Sequence, residues 1–122
     1  MPRNSRPINT LASSLQRLPF LGTPRPDSAS EAKLYLQRAL HAAGEERFDV
    51  ALVFCGKALD VAPGSLAARF LAGQLYEQRG DVDRAVEAYR RVIVLSGYDT
   101  VNPYVAASRE ALDALVMAAT SP

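Results

Sequence analysis

The chain has 122 residues, of which 48% are hydrophobic and 22% are charged, and its formal net charge is +1. This length suits a single domain, and one cysteine with one histidine excludes a disulfide framework and any metal site built from several such ligands. The near-neutral charge argues against nucleic-acid binding and against membrane-surface binding, because both need a cationic face. No apolar stretch is long enough to span a bilayer. We therefore expect a soluble, cytoplasmic protein that needs no cofactor.

The segment 1–28 differs in composition from the rest of the chain. It holds five of the eight prolines and carries a net charge of +3, against −2 for the remaining residues. This contrast predicts a leader over 1–28 and a folded domain over 29–119. Within the leader, 8–21 has apolar residues mostly at three- and four-residue steps, as a short amphipathic helix would. Its apolar residues are Ile8, Leu11, Leu15, Leu18, Phe20 and Leu21.

Three interpretations of the leader stay open. A helix of ten residues is marginal alone, so the segment could be a disordered tail. It could be a docking motif for a partner or for apolar surface of this same chain. It could also be a transit peptide that directs the protein to an organelle, since it is rich in Arg and Ser and has no acidic residue before Asp27. A secretory signal is disfavoured because Arg17 interrupts the apolar run.

Caps and breakers predict five helices in the rest of the chain. Ser28 with Glu31 three residues later is a capping box, and Asn102 before Pro103 is a cap followed by proline at the first helical position. No alternating strand pattern appears between these signals. The helices are expected at about 28–44, 47–62, 65–80, 81–96 and 103–119. Short turns between them predict an antiparallel all-α array.

The sequence contains an internal repeat. Asp49, Ala51 and Ala39 precede Asp83, Ala85 and Gly73 by one common interval of about 34 residues, which is the period of a helix–turn–helix repeat. The segment 72–89 strongly resembles the tetratricopeptide repeat family. The residues that carry the resemblance are Gly73, Tyr76, Gly80, Asp81, Ala85 and Tyr89. It implies that Gly73 lets two helices approach, that Tyr76 packs across them and that Ala85 lies at their closest crossing.

A looser first repeat covers 32–65. It keeps the pattern at Tyr35, Ala39, Ala51, Ala58 and Pro63. Arg38 stands where the family usually has Leu, Ala42 where it usually has Tyr, and the expected turn residue Gly44 lies two positions early. The resemblance, which extends over most of the chain after the leader, therefore implies two repeats followed by a C-terminal capping helix.

No catalytic arrangement emerges from the residues. His41 has no carboxylate expected on its face of the first helix, and Cys55 lies on the core-facing side of the second, where it acts as a small hydrophobe. No phosphate-binding loop, metal-ligand spacing or nucleophile motif is present. The acidic pairs are assigned to helix starts, where they complement the helix dipole; these are Glu45, Glu46, Asp81 and Asp83. We expect a protein without enzymatic activity.

The family resemblance implies a protein-binding role. In such proteins the first helix of each repeat lines a concave groove that grips a peptide or helix of a partner. The corresponding residues here are Lys33, Leu36, Leu40, Phe70, Gln74, Glu77, Gln78, Tyr104 and Ser108. Leu36 and Leu40 replace polar residues that chaperone-binding members use to hold a terminal carboxylate. We therefore expect an adaptor, assembly factor or chaperone that binds an apolar or amphipathic helix.

The last predicted helix is apolar on more than one side, unlike an ordinary capping helix. This pattern predicts a contact in a homo-oligomer through Leu112, Leu115, Val116 and Met117. Two alternative functions follow. The chain could be a structural protein that assembles through this helix, or it could be a regulatory subunit of an enzyme.

Overall fold

A computed structural model of the chain describes residues 28–120, and these residues form an all-helical array with no strand among them. The predicted fold class is confirmed. The helices are α1 (Ser28–Gly44), α2 (Phe48–Val61), α3 (Leu66–Gln78), α4 (Val82–Leu95) and α5 (Pro103–Thr120). The predicted leader motif over 8–21 lies outside the described residues, and the domain boundary near residue 28 stays a prediction.

The helices pack as two hairpins and one added helix. α1 packs on α2, α3 packs on α4, and the hairpins meet where α2 contacts α3. α5 packs on α4 and also contacts α3, and α3 in turn contacts α1. The helix crossings are filled mainly by small side chains, which let helix backbones approach closely. The fully buried small residues include Ala39, Ala51, Cys55, Ala58, Ala68 and Ala85.

The two hairpin turns have the same hydrogen bonds. The amide of Arg47 donates to the carbonyl of Ala42 at 2.9 Å, and one repeat period later the amide of Asp81 donates to the carbonyl of Tyr76 at 2.9 Å. This six-residue closure satisfies a carbonyl that would otherwise lack a partner at the helix end. The repeat period is therefore present in the turns as well as in the packing.

The left-handed residue of the first turn is Glu46, not Gly44 as the sequence indicated. Glu46 has φ 61°, and its equivalent in the second turn is Gly80 with φ 78°. Gly44 lies inside α1, where its φ is not positive. Because the same hydrogen bonds close both turns, the left-handed residue of the first turn lies one repeat period before Gly80. That residue is a glutamate, and it adopts a positive φ although this conformation strains a residue with a side chain.

Side-chain caps start three of the helices. The amide of Ala68 donates to Ser65 Oγ at 3.2 Å, and the amide of Arg84 donates to Asp81 Oδ1 at 3.2 Å. Asn102 Oδ1 accepts a hydrogen bond at 2.8 Å from the backbone amide two residues later in the chain. These caps confirm the predicted starts of α3, α4 and α5.

Gly73 provides the space for Tyr89. An ideal Cβ built on Gly73 would lie 2.6 Å from Tyr89 Cε1, which no side chain could tolerate without a shift. The Tyr89 ring is buried, and its hydroxyl donates to the carboxylate of Glu77. The close approach that the family resemblance assigned to Gly73 is confirmed.

We expect Gly73→Ala to lower the free energy of unfolding by about 1–3 kcal/mol, because the added methyl overlaps a buried ring that is held at its hydroxyl end. Gly56→Ala is the matched control, since Gly56 is an exposed position in α2 with nothing within 4 Å of a built Cβ. It should raise the free energy of unfolding by about 0.5–1 kcal/mol. Urea denaturation measures both. Equal effects of the two substitutions would contradict the packing account.

We expect Glu46→Gly to raise the free energy of unfolding by about 0.5–1 kcal/mol, because glycine adopts positive φ without strain. Gly80→Ala should lower it by a similar amount, since nothing lies within 4 Å of its built Cβ and backbone strain alone acts. Thermal unfolding of the two variants checks the pair. A loss of stability in Glu46→Gly would show that the Glu46 side chain stabilises the fold by more than the strain of its positive φ costs.

Candidate functional site

An open cavity lies between α1 and α3. Its volume is about 540 Å³, and its lining residues are Ala43, Gly44, Glu46, Phe48, Leu71, Gln74, Leu75 and Gln78. Gln74 and Gln78 were predicted for a groove, and the structure brings them together with the end of α1. The lining combines apolar residues with two amides and the carboxylate-bearing Glu46, and it includes no lysine or arginine.

A cluster of aromatic rings joins α3 to α4 and α5. The Phe70 ring centroid lies 5.9 Å from that of Tyr104 and 5.6 Å from that of Tyr89. Both pairs of rings are tilted, which is an arrangement that aromatic pairs prefer. Phe70 is half-buried and Tyr104 is exposed. We use the term groove surface for the cavity between α1 and α3 together with Leu40, Phe70 and Tyr104.

The predicted groove residues of α1 differ in exposure. Leu40 is 54% exposed and lies one turn before the cavity-lining end of α1. Lys33 is exposed on the same helix, whereas Leu36 is half-buried against the core. Of these three, Leu40 presents the largest apolar side chain to solvent.

Glu77 has a structural role that the sequence did not indicate. Its carboxylate accepts the Tyr89 hydroxyl hydrogen bond at the α3–α4 interface. Burial raises the pKa of the Tyr89 phenol above its usual range, and the hydrogen bond and the negative charge of Glu77 raise it further. Glu77 is exposed next to the groove surface, but it is already engaged by the fold.

Ser108 is fully buried, so the expectation that it lines a groove is wrong. The connection from α2 to α3 has four residues and that from α4 to α5 has seven, so the offset between α3 and α5 is three positions longer than the repeat period. With this offset Ser108 takes the place of Leu71 and Val105 takes that of Ala68, and all four are buried. α5 thus occupies the position of the first helix of a third repeat.

The apolar end of α5 is partly open to solvent. Leu112 and Leu115 are half-buried, whereas Val116 and Met117 are exposed. These four residues were predicted to form an oligomer contact, and that contact stays a prediction.

His41 has a partner that the sequence analysis missed. Its Nε2 lies 3.4 Å from Glu45 Oε2, one helical turn further on, and the other carboxylate oxygen of Glu45 lies 3.5 Å from Arg47 Nη1. Glu45 therefore bridges two basic side chains at the end of α1, and its assignment to a helix start is wrong. Asp81 and Asp83 do lie at the start of α4, as predicted.

Cys55 is a core residue. It is buried among small apolar side chains, and burial raises the pKa of its thiol to about 12. A reactive cysteine requires a lowered pKa and exposure, so Cys55 has neither property. Within 28–120, no group of three or more His, Cys, Asp or Glu residues could hold a metal ion. In the same range, no helix combines the length and apolar character that crossing a membrane requires.

The family model of the tetratricopeptide repeat matches residues 42–93, which run from the end of α1 through most of α4. No curated protein and no solved structure matches the chain. The family match, the paired helix hairpins and the equivalence of their turns agree. Residues 42–93 therefore match the tetratricopeptide repeat, whose repeats generally mediate protein–protein interaction and are generally non-catalytic.

We expect the free energy of unfolding to fall as the pH rises above 9, the ordinary pKa of a thiol, because the unfolded thiol ionises there while the folded one does not until a pKa of about 12. Between pH 8 and pH 10 this loss is about 1 kcal/mol. Cys55→Ala removes the ionising group and should show a smaller loss over the same interval. Urea denaturation at both pH values measures the difference, and parallel losses in the two proteins would contradict it.

Proposed function

We propose that this tetratricopeptide-repeat chain is a non-catalytic interaction module that holds an apolar or amphipathic helix of a partner protein against its groove surface. The observation that carries the proposal is the open cavity of about 540 Å³ between α1 and α3, together with an exposed Leu40 one helical turn before Gly44 on α1. The contact between Phe70 and Tyr104 extends the surface onto α5. Helix-in-groove recognition uses such a strip of apolar surface to receive apolar anchors at three- and four-residue steps.

The chemistry of the cavity favours an apolar stripe over an anionic group. Its charged lining residue is Glu46, and its polar groups are otherwise the amides of Gln74 and Gln78. A carboxylate entering it would meet negative charge and no guanidinium or ammonium group. Glutamine amides can instead donate to and accept from the polar edge of an amphipathic helix.

Several biological roles share this binding mode. An adaptor, an assembly factor, a chaperone and a regulatory subunit of an enzyme would each use the groove surface in the same way. The residues of the groove surface bear on the chemistry of the partner segment, which these roles share.

Self-association is the second candidate function, and the exposed Val116 and Met117 near the end of α5 favour it. In this case the role of the chain would be assembly with its own copies. Apolar side chains that cluster on an exposed face are typical of an interface.

Selection of displayed helical peptides on the immobilised chain, followed by affinity measurement on variants, tests the groove. We expect the selected peptides to carry apolar residues at three- and four-residue steps. Leu40→Glu should weaken their binding about tenfold or more, because it places a charge against the apolar stripe. Val53→Glu is the matched control, since Val53 is 58% exposed but lies on α2 outside the groove surface.

Equal losses in Leu40→Glu and Val53→Glu would contradict binding at the groove surface. Selection of no peptide, together with sedimentation as a dimer that Val116→Glu converts to a monomer, would support self-association in its place.

A further inference from the structure

A second cavity lies at the junction of the two repeats, and it shares no lining residue with the groove cavity. Its volume is about 260 Å³, and α2, α3 and α4 all contribute to it. The residues that line it are Leu59, Arg69, Ala72, Tyr76, Arg84, Glu87, Ala88 and Arg91. Three arginines from two helices therefore surround one small space.

The three arginines differ in their ion pairs with carboxylates. Arg84 Nη1 lies 3.3 Å from Asp81 Oδ2, and Arg91 Nη1 lies 3.9 Å from Glu87 Oε2, which is at the limit of an ion pair. Arg69 has no ion pair with any residue of the described chain.

Arg69 is held in place by one hydrogen bond at its tip. Its Nη2 donates to the carbonyl oxygen of Pro63 at 3.1 Å. Its Nε is buried and meets no acceptor among residues 28–120. Burial lowers the pKa of the Arg69 guanidinium, and the positive charge of Arg91 lowers it further. An anion between Arg69 and Arg91 would offset this repulsion, and the Arg69 guanidinium, which has no ion pair within the described chain, would gain a charged acceptor.

The rest of the cavity selects among anions. Leu59, Ala72 and Ala88 provide an apolar floor that a bare inorganic ion would leave unfilled. Glu87 adds a negative charge to the lining, which disfavours a doubly charged group such as phosphate. A singly charged carboxylate attached to an apolar stem satisfies both constraints.

We infer that the pocket between Arg69, Arg84 and Arg91 binds a carboxylate carried on a short apolar stem. A peptide that ends in an apolar residue presents this chemistry, and so does a small aliphatic acid. The pocket is separate from the groove surface, so the inference does not depend on the proposed function.

Titration of the full chain with hexanoate, followed through the NMR signal of the Arg69 Nε–H group, tests the inference. Hexanamide has nearly the same shape without the charge, and inorganic phosphate has the charge without the stem. We expect hexanoate to shift the Arg69 signal with saturation, and both other probes to bind at least about tenfold more weakly. Comparable binding of hexanamide or of phosphate would overturn the inference.

Arg91→Gln should weaken hexanoate binding about tenfold, the size of one charge-assisted hydrogen bond in a hydrated pocket. Arg90→Gln is the matched control, because Arg90 is exposed on the same helix and does not line the pocket. Arg91 is half-exposed, so circular dichroism should show both variants folded. Equal weakening in the two variants, or none in Arg91→Gln, would overturn the assignment of the site.

A second titration distinguishes the two sources of the carboxylate. Acetyl-Gly-Leu with a free carboxylate is compared with its C-terminal amide and with hexanoate. Tighter binding of the free dipeptide than of hexanoate assigns the pocket to a peptide, and the reverse order assigns it to a small acid. If the dipeptide and its amide bind equally and hexanoate does not bind, the pocket does not recognise carboxylates.

Discussion

The contact between Tyr89 and Gly73 is the constraint on which the second repeat and the groove both depend. Tyr89 belongs to α4, yet its ring lies against the α3 backbone at Gly73 and beside the ring of Phe70. Its hydroxyl donates to Glu77 one turn beyond Gly73. Because Phe70 also contacts Tyr104, the position of this one buried ring sets the aromatic surface that α3 and α5 share. The same residue therefore links the helix crossing to the candidate binding surface.

The apolar character of α5 follows from its place in the array. With the longer offset between α3 and α5, Leu112 is equivalent to Leu75, which is buried in a core cluster with residues of α1 and α2. Leu112 is half-buried, and no later helix of the described chain packs against α5 as α4 packs against α3. α5 is the first helix of a repeat whose second helix is not present in 28–120. Its exposed apolar end is consistent with this incompleteness, and a partner or a second copy would be well placed to cover it.

Local chemistry explains how much of this architecture could be predicted. The five helices and the capped starts of α3, α4 and α5 depend on residues within one turn of each other, so the sequence alone predicts them. The groove register on α5 depends on the length of the preceding connection, and Ser108 was misplaced because the repeat period was carried across three extra positions. The pocket of Arg69, Arg84 and Arg91 could not be predicted, because Arg69 comes from α3 and the other two arginines come from α4, and they meet only when these helices pack.

The departures of the first repeat from the family pattern reflect its position in the array. In the second repeat, Ala72 and Tyr76 face the cavity that Leu59 of α2 helps to close. Their equivalents, Arg38 and Ala42, line a cleft of about 270 Å³ on the outer side of α1 and α2, which no other helix of the described chain lines. An arginine fits there because it stays hydrated, whereas the same side chain at position 72 would be buried between two hairpins. The turn hydrogen bonds are nevertheless identical in the two repeats, so the substitutions mark an end of the described array and leave the repeat geometry intact.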